Sequence, residues 1–245
     1  MIAPALFSAV AVLVSAIVKG AIGFGFPTLS TPLLALVIDV KVAVAVLILP
    51  NIVMDSVQVA RRGGVVDTAR RLWVVIVFGM IGTVIGTWLL VLMPARLVTL
   101  TLGVFVVLFV VLNATPFSPR VPAHWERWLS APAGLIAGIV GGVTNVPGTA
   151  LVVYFYALGM EKHEFVRSIA LSFVIYKIVQ LATLAWYGIM TWRLVPATLG
   201  LTVAALAGFA MGLRIQDRLD QAMFNRAVLV FLAALGIWLT IRAVT

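Results

Sequence analysis

Few side chains in this sequence combine a polar or charged head with a place inside an apolar run. Lys19, Asn51, Asp55, Asn145 and Lys177 are such residues, with Gln58 and Gln180 at similar depth. A charge held at that depth in lipid is costly and persists where it meets a partner or a substrate. Two glycine- and proline-marked breaks accompany them: Lys19-Gly20-Ala21-Ile22-Gly23-Phe24-Gly25-Phe26-Pro27-Thr28, and the stretch from Gly138 to Thr149. Proline suits the first position of a helix, where its missing N–H costs nothing. Pro27 and Pro147 are therefore expected to open short helices, followed by Thr28, Ser30 and Thr31 in the first and by Gly148 and Thr149 in the second. A helix that starts inside a membrane aims free N–H groups and a positive dipole end at whatever precedes it. Two such starts facing each other would cradle a small oxyanion, with the hydroxyls as further donors. Gly20, Gly23, Gly25, Gly141 and Gly142 would let backbone approach it closely. Gly and Pro also ease packing in membrane helices generally; the matched pair of breaks is what favours a site.

Each polar residue has two readings. Lys177, near the middle of 165–187, is expected to neutralise an anionic substrate, the alternative being a structural pair with Asp55. Lys19 is balanced between substrate contact and capping the carbonyl end of its half-helix. Asn145, two residues before Pro147, stands where a cap or a ligand donor is wanted. Asn51 follows Pro50 and either donates to the ligand or satisfies carbonyls freed by that proline. Tyr176, beside Lys177, is placed to touch an apolar part of a substrate. Asp55 is the carboxylate clearly inside a span, hence the candidate for coupling, with a proton as the expected ion. Gln58 and Gln180 read as interhelical hydrogen bonds, and Gly82/Gly86 and Gly208/Gly212 as close helix packing. There is no HExxH, GxSxG or P-loop, and His124 and His163 lie apart. With no cysteine, thiolate metal sites and thiol nucleophiles are excluded. No enzymatic activity, metal or cofactor is expected.

The elements that must position these residues follow from composition. Of 245 residues, 63% are hydrophobic and 10% charged, against roughly half and a quarter in a soluble domain. The fold expected is an all-α polytopic membrane protein in the cell inner membrane, with the lipid bilayer as its main partner and no sizeable soluble domain. The net charge of +9 comes from arginines at segment ends, which marks topology rather than nucleic-acid binding. Met1 to Phe7 carry no basic n-region, so no removable signal peptide is expected. Nothing in the sequence sets the oligomeric state; a homodimer is one option.

Spanning helices are expected at 42–60, 72–93, 97–113, 165–187, 195–213 and 224–244. The segments 3–18 with 27–38, and 131–140 with 147–159, fit two helical hairpins, at 3–38 and 131–159. As single broken spans they would run to roughly 54 and 43 Å, too long for a bilayer core. Charge agrees. With hairpins, the side of the Arg61–Arg71 loop collects Arg61, Arg62, Arg70, Arg71, Arg120, Arg127, Lys162, Arg167, Arg214, Arg218 and Arg226, eleven against Lys41, Arg96, Arg193 and Arg242. With broken spans the count is eight against seven. The positive-inside rule thus favours hairpins and puts the proline-rich linker 114–130 in the cytoplasm.

That linker divides a duplication: a first repeat over 1–113 and a second over 131–245. Pro27 matches Pro147, Asp55-x-x-Gln58 matches Lys177-x-x-Gln180, and Gly82-x-x-x-Gly86 matches Gly208-x-x-x-Gly212. Each repeat is a broken-helix hairpin plus three transmembrane helices, an odd number of crossings. The second copy must then be inverted, a recurring plan of secondary transporters.

The run Lys19 to Pro27, the polar span Leu49-Pro50-Asn51-Ile52-Val53-Met54-Asp55 and the second glycine-rich break resemble the TauE/SafE family, often called sulfite exporters. The resemblance covers essentially the whole chain. Many relatives carry a Gly-Gly-Gly type run in the second break; here it reads Gly141-Gly142-Val143-Thr144-Asn145-Val146-Pro147. The resemblance implies transport of sulfite or an organosulfonate, outward as for sulfite and sulfoacetate or inward as for toluenesulfonate. The expected function is a secondary transporter working by alternating access, the sulfonate held near the midplane by Gly25, Pro27, Thr28, Thr31, Gly148 and Thr149, with Lys177, Asn51, Asn145, Lys19 and Tyr176. An anion channel of the same fold and a membrane subunit with no flux of its own are the competing classes.

Overall fold

A computed structural model of the chain describes residues 2–114, 121–146, 148–215 and 221–244. Pro147 and residues 115–120 of the proline-rich linker lie outside the described residues. Among those described the chain forms ten α-helices and two single 3₁₀ turns, with no strand. The helices are α1 (Ile2–Ile22), α2 (Phe26–Leu34), α3 (Val40–Arg62), α4 (Val65–Leu92), α5 (Ala95–Ala114), α6 (Glu126–Thr144), α7 (Gly148–Ala157), α8 (Lys162–Trp186), α9 (Val195–Ile215) and α10 (Gln221–Val244). All are rich in Leu, Val, Ile and Ala, and a helix meets its backbone hydrogen bonds internally, as lipid demands.

Among the described residues, six stretches are long and apolar enough to cross a membrane: Ala3–Ile22, Val40–Arg61, Val65–Leu92, Ala95–Leu112, His163–Trp186 and Trp192–Ile215. Three differences from the sequence reading stand out. The first apolar arm, expected to stop at residue 18, continues through Lys19 and Gly20 to Ile22 and is itself long enough to span, while the apolar stretch Val228–Val244 of α10 is shorter. Likewise α6 extends well beyond the expected 131–140. The glycines in these arms do not break the helix; they let another helix approach. A side chain at Gly20 would stand 2.4 Å from the Phe209 carbonyl of α9, and one at Gly138 would stand 2.2 Å from the Gly79 carbonyl of α4. Reciprocally, Gly208 and Gly212 of α9 face the Leu13 and Ile17 carbonyls of α1, and Gly82 and Gly86 of α4 face the Leu135 and Ile139 carbonyls of α6. Small residues at such positions bring backbones nearly into contact, which is how membrane helices gain packing energy.

Contacts between helix termini define two ends of the bundle. At one, Arg71 of α4 pairs with Glu126 of α6 at 3.1 Å and with Glu164 of α8. Arg167 of α8 donates to the Gly63 carbonyl after α3 at 3.5 Å. The last residue of α7 returns to this end, where the Ala157 carbonyl accepts from the Val121 amide at 2.8 Å and the Tyr154 hydroxyl meets Ser130 and Glu126 of α6. At the opposite end, Arg96 of α5 donates to the Ala243 and Val244 carbonyls of α10, and Lys41 of α3 to the Val91 carbonyl of α4 at 2.8 Å. There too, Arg242 reaches the Leu36 carbonyl just beyond α2 at 3.3 Å. So α2 finishes at one end of the bundle and α7 at the other. Exposed tryptophans ring both: Trp73, Trp125 and Trp128 near the first end, and Trp88, Trp186, Trp192 and Trp238 near the second. Amphipathic rings in two girdles mark the two membrane–water interfaces.

Candidate functional site

The polar ladder of α3 is set by helical spacing. Asn51, Asp55, Gln58 and Arg61 fall at i, i+4, i+7 and i+10, one face of one helix. The first three are buried, and that face meets α1, the first break and α8. Near it the chain turns from α1 into α2 through Gly23 (φ 99°) and Gly25 (φ 95°), a left-handed backbone that side chains with a Cβ rarely adopt. The second break turns at Asn145, φ 67°, the one non-glycine described residue in that region. Each break frees carbonyls, and each is satisfied by a glutamine. Gln58 Nε2 donates to the Gly23 carbonyl at 2.6 Å, and Gln180 Nε2 donates to the Gly142 and Gly141 carbonyls at 3.0 and 3.3 Å.

The two buried lysines are held differently. Lys19 Nζ pairs with Asp55 Oδ1, both side chains 1% exposed. Lys177 Nζ donates to the Asn145 carbonyl at 3.2 Å, to Asn145 Oδ1 and to Gln180 Oε1 at 2.7 Å. Three acceptors account for the three donors of an ammonium group. Asn145 then passes its amide to Thr31 Oγ1 at 3.0 Å, so the second break touches the short helix that follows the first. Lys177 also lies close enough to Asp55 to interact with it electrostatically. The buried ionisable side chains of the described residues are these two lysines and one aspartate. Asp55 Oδ2, Gln58 Oε1 and both amide atoms of Asn51 have no hydrogen-bond partner among the described residues.

A cavity of about 390 Å³ opens at the Arg71 end of the bundle. Arg61, His163 and Arg167 line its walls, Phe209 and Leu213 its apolar side, and Lys19, Gly20, Gly23 and Gln58 its floor. Among the described residues, no aspartate or glutamate lines it. The guanidinium heads of Arg61 and Arg167 and the Lys19 ammonium around one cleft focus a positive potential that attracts anions.

The residues expected from sequence therefore divide. Lys19 and Asp55 come together, Lys19 at the cavity floor and Asp55 behind it. Asn145 and Thr31 come together with Lys177, outside the cavity. Gly25 and Thr28 line a separate cavity of about 110 Å³ walled by Val18, Phe24, Phe109 and Leu232. Pro27 is buried in the first turn of α2. Gly148 opens α7, and the side chain of Thr149 lies outside the described set. The Tyr176 hydroxyl donates to the Val75 carbonyl at 2.7 Å with its ring over Gly79, a contact between α8 and α4. The alternative pairing of Asp55 with Lys177 gives way to Lys19, because α1 runs one turn further than expected and carries its ammonium to α3. Sequence reasoning treated Arg61 and Arg167 as topology signals and passed over His163 for the site. The signal was spacing: His163 and Arg167 are i and i+4 on α8, and Arg61 continues the α3 ladder.

A search of curated proteins and of solved structures returns no match to this chain. The family described as sulfite exporter TauE/SafE matches residues 7–239, nearly the whole sequence. That family moves small sulfur-containing anions across membranes, and the multi-pass helical bundle with its basic cleft accords with it. By this match the chain belongs to the sulfite exporter TauE/SafE family.

Proposed function

We propose that this protein is a secondary transporter of a small sulfur-containing anion, an organosulfonate or sulfite, and that the anion docks in the basic cavity with its oxygens on Lys19. The observation that carries this reading is the cavity itself: about 390 Å³, lined by Lys19, Arg61, His163 and Arg167 and, among the described residues, by no carboxylate. Its size lies within the range of small-molecule sites. A sulfonate is ionised at any cellular pH, so a fixed positive site has to take over the role of its hydration. In this reading Lys19 is the substrate lysine, and Lys177 holds the second break in shape. By the arginine count the cavity opens to the cytoplasm.

Two further observations support a carrier over a channel. The cavity ends at the Lys19–Asp55 pair rather than continuing through the bundle. The two halves also repeat their contacts. Gln58 and Gln180 serve the two breaks alike, and α9 lies on α1 through Gly208 and Gly212 as α4 lies on α6 through Gly82 and Gly86. Inverted repeats built this way exchange roles when the site changes sides. The test is a thermal-shift screen of sulfite, sulfate, sulfoacetate, taurine and aromatic sulfonates, followed by flux into liposomes holding the purified protein alone. Stabilisation by a sulfonate or sulfite, with saturable flux of that anion, is expected. Large single-channel currents would replace the carrier with a pore, and no stabilisation by any anion would remove the cavity as the site.

A further inference from the structure

We propose that the transported anion and Asp55 compete for Lys19, so that each anion bound brings one proton onto Asp55. This rests on the reading of the basic cavity as the anion site. Lys19 forms the floor of that cavity and at the same time is the ion-pair partner of Asp55. Asp55 Oδ2 has no partner among the described residues, so Lys19 is the one described group that donates a hydrogen bond to this buried carboxylate.

The other charged groups nearby do not replace it. Lys177, facing Asp55 from α8, directs its donors at Asn145 and Gln180. Arg61 on α3 and His163 and Arg167 on α8 belong to the cavity wall. The helices α2, α4, α5 and α9, also packed against α3, place no buried charged residue there among the described residues.

An anion arriving through the cavity offers its oxygens to the Lys19 ammonium in place of Asp55 Oδ1. A buried carboxylate that loses its ion-pair partner is relieved by neutralisation. The proton comes from water in the cavity and forms an O–H bond on Asp55. The charges balance: the empty site holds Lys19⁺ with Asp55⁻, and the loaded site holds Lys19⁺ with a monoanion and a neutral Asp55. Lys177 is the same in both. Empty and loaded carriers thus meet the same electrostatic barrier when the site changes sides. A site holding the anion without the proton, or the proton without the anion, leaves a buried charge without its partner. This is one-to-one, electroneutral coupling of a monovalent sulfonate to a proton.

The probe is 4-toluenesulfonate, which does not titrate, so any proton taken up belongs to the protein. Calorimetry of the purified full chain in buffers of different ionisation heat counts that proton. One proton per bound anion is expected, with Kd rising about tenfold per pH unit where Asp55 must be protonated to bind. Asp55→Asn, which keeps an acceptor for Lys19, is expected to bind with a Kd independent of pH and with no proton uptake. Binding by the unaltered protein with a flat pH profile and no proton uptake overturns the competition and leaves the anion site standing. Failure of 4-toluenesulfonate, sulfoacetate and sulfite all to bind overturns the site and the coupling with it. The proton count on the unaltered protein decides the matter even where Asp55→Asn does not fold.

Discussion

Lys19 and Lys177 are equally buried, each 1% exposed, and each stands beside one of the two helix breaks. Their partners separate them. Lys177 meets three neutral oxygens supplied by Asn145 and Gln180, and nothing of its ammonium is left over for a ligand. Lys19 meets one carboxylate and a cavity. A buried cation surrounded by fixed neutral acceptors is a structural clamp, because its charge is solvated by dipoles that stay in place. A buried cation whose main partner is itself titratable is a switch, because an incoming anion can take the partner's place. The depth of a charge in the membrane does not tell these two apart; its acceptors do.

Five substitutions would break or sharpen this comparison. The largest effect is expected from Lys19→Gln, which strands Asp55 as a buried unpaired carboxylate and should destabilise the fold by about 3–5 kcal/mol. Adding Asp55→Asn should recover most of that loss in a thermal melt while anion binding stays absent; recovered binding would show that Lys19 contributes only structure. Next, Lys177→Gln should cost about 2 kcal/mol, since it leaves acceptors of Asn145 and Gln180 short of donors. Its sulfonate affinity should stay within a few-fold of the unaltered protein, and a hundredfold loss would reverse the assignment of the two lysines. Thr31→Val removes the acceptor of the Asn145 amide and should lower stability by about 1 kcal/mol, read as a lower melting temperature with anion binding unchanged. Smallest is Arg167→Gln at the cavity wall, expected to slow anion association several-fold and to flatten its salt dependence. Stopped-flow binding at two ionic strengths reads both.

Much of the architecture was legible because lipid imposes strict rules on length and charge. The all-helical fold, the short helices after each break and the crowding of arginines at one end follow from segment lengths and the positions of charges. The glycine pairs were legible as packing sites, since no other residue lets backbones approach so closely. What was hidden depended on which helix lies on which. Lys19 and Asp55 are 36 residues apart, and their meeting requires α1 to stay helical past Gly20. It does so because Gly20 fits against α9 at Phe209 and Gly212, a fact of packing and not of local propensity. Arg61 and Arg167 escaped notice for a different reason. An arginine at a helix end serves topology equally well whether it faces lipid head groups or a cleft, and only the shape of the cavity decides which. The expected cradle of two helix starts was the least legible part. Thr28 and Gly25 turn to an apolar space while Thr31 meets Asn145, an outcome set by how α2 seats against α5 and α10.

The most direct test of the central claim compares Lys19→Gln with Lys177→Gln, both confirmed as folded by their melting curves. The measurement is equilibrium binding of 4-toluenesulfonate, or of whichever sulfur anion gives the largest thermal shift. Loss of binding in Lys19→Gln with binding kept in Lys177→Gln is the predicted result. Binding kept in Lys19→Gln and lost in Lys177→Gln would contradict it and move the anion site to the second break.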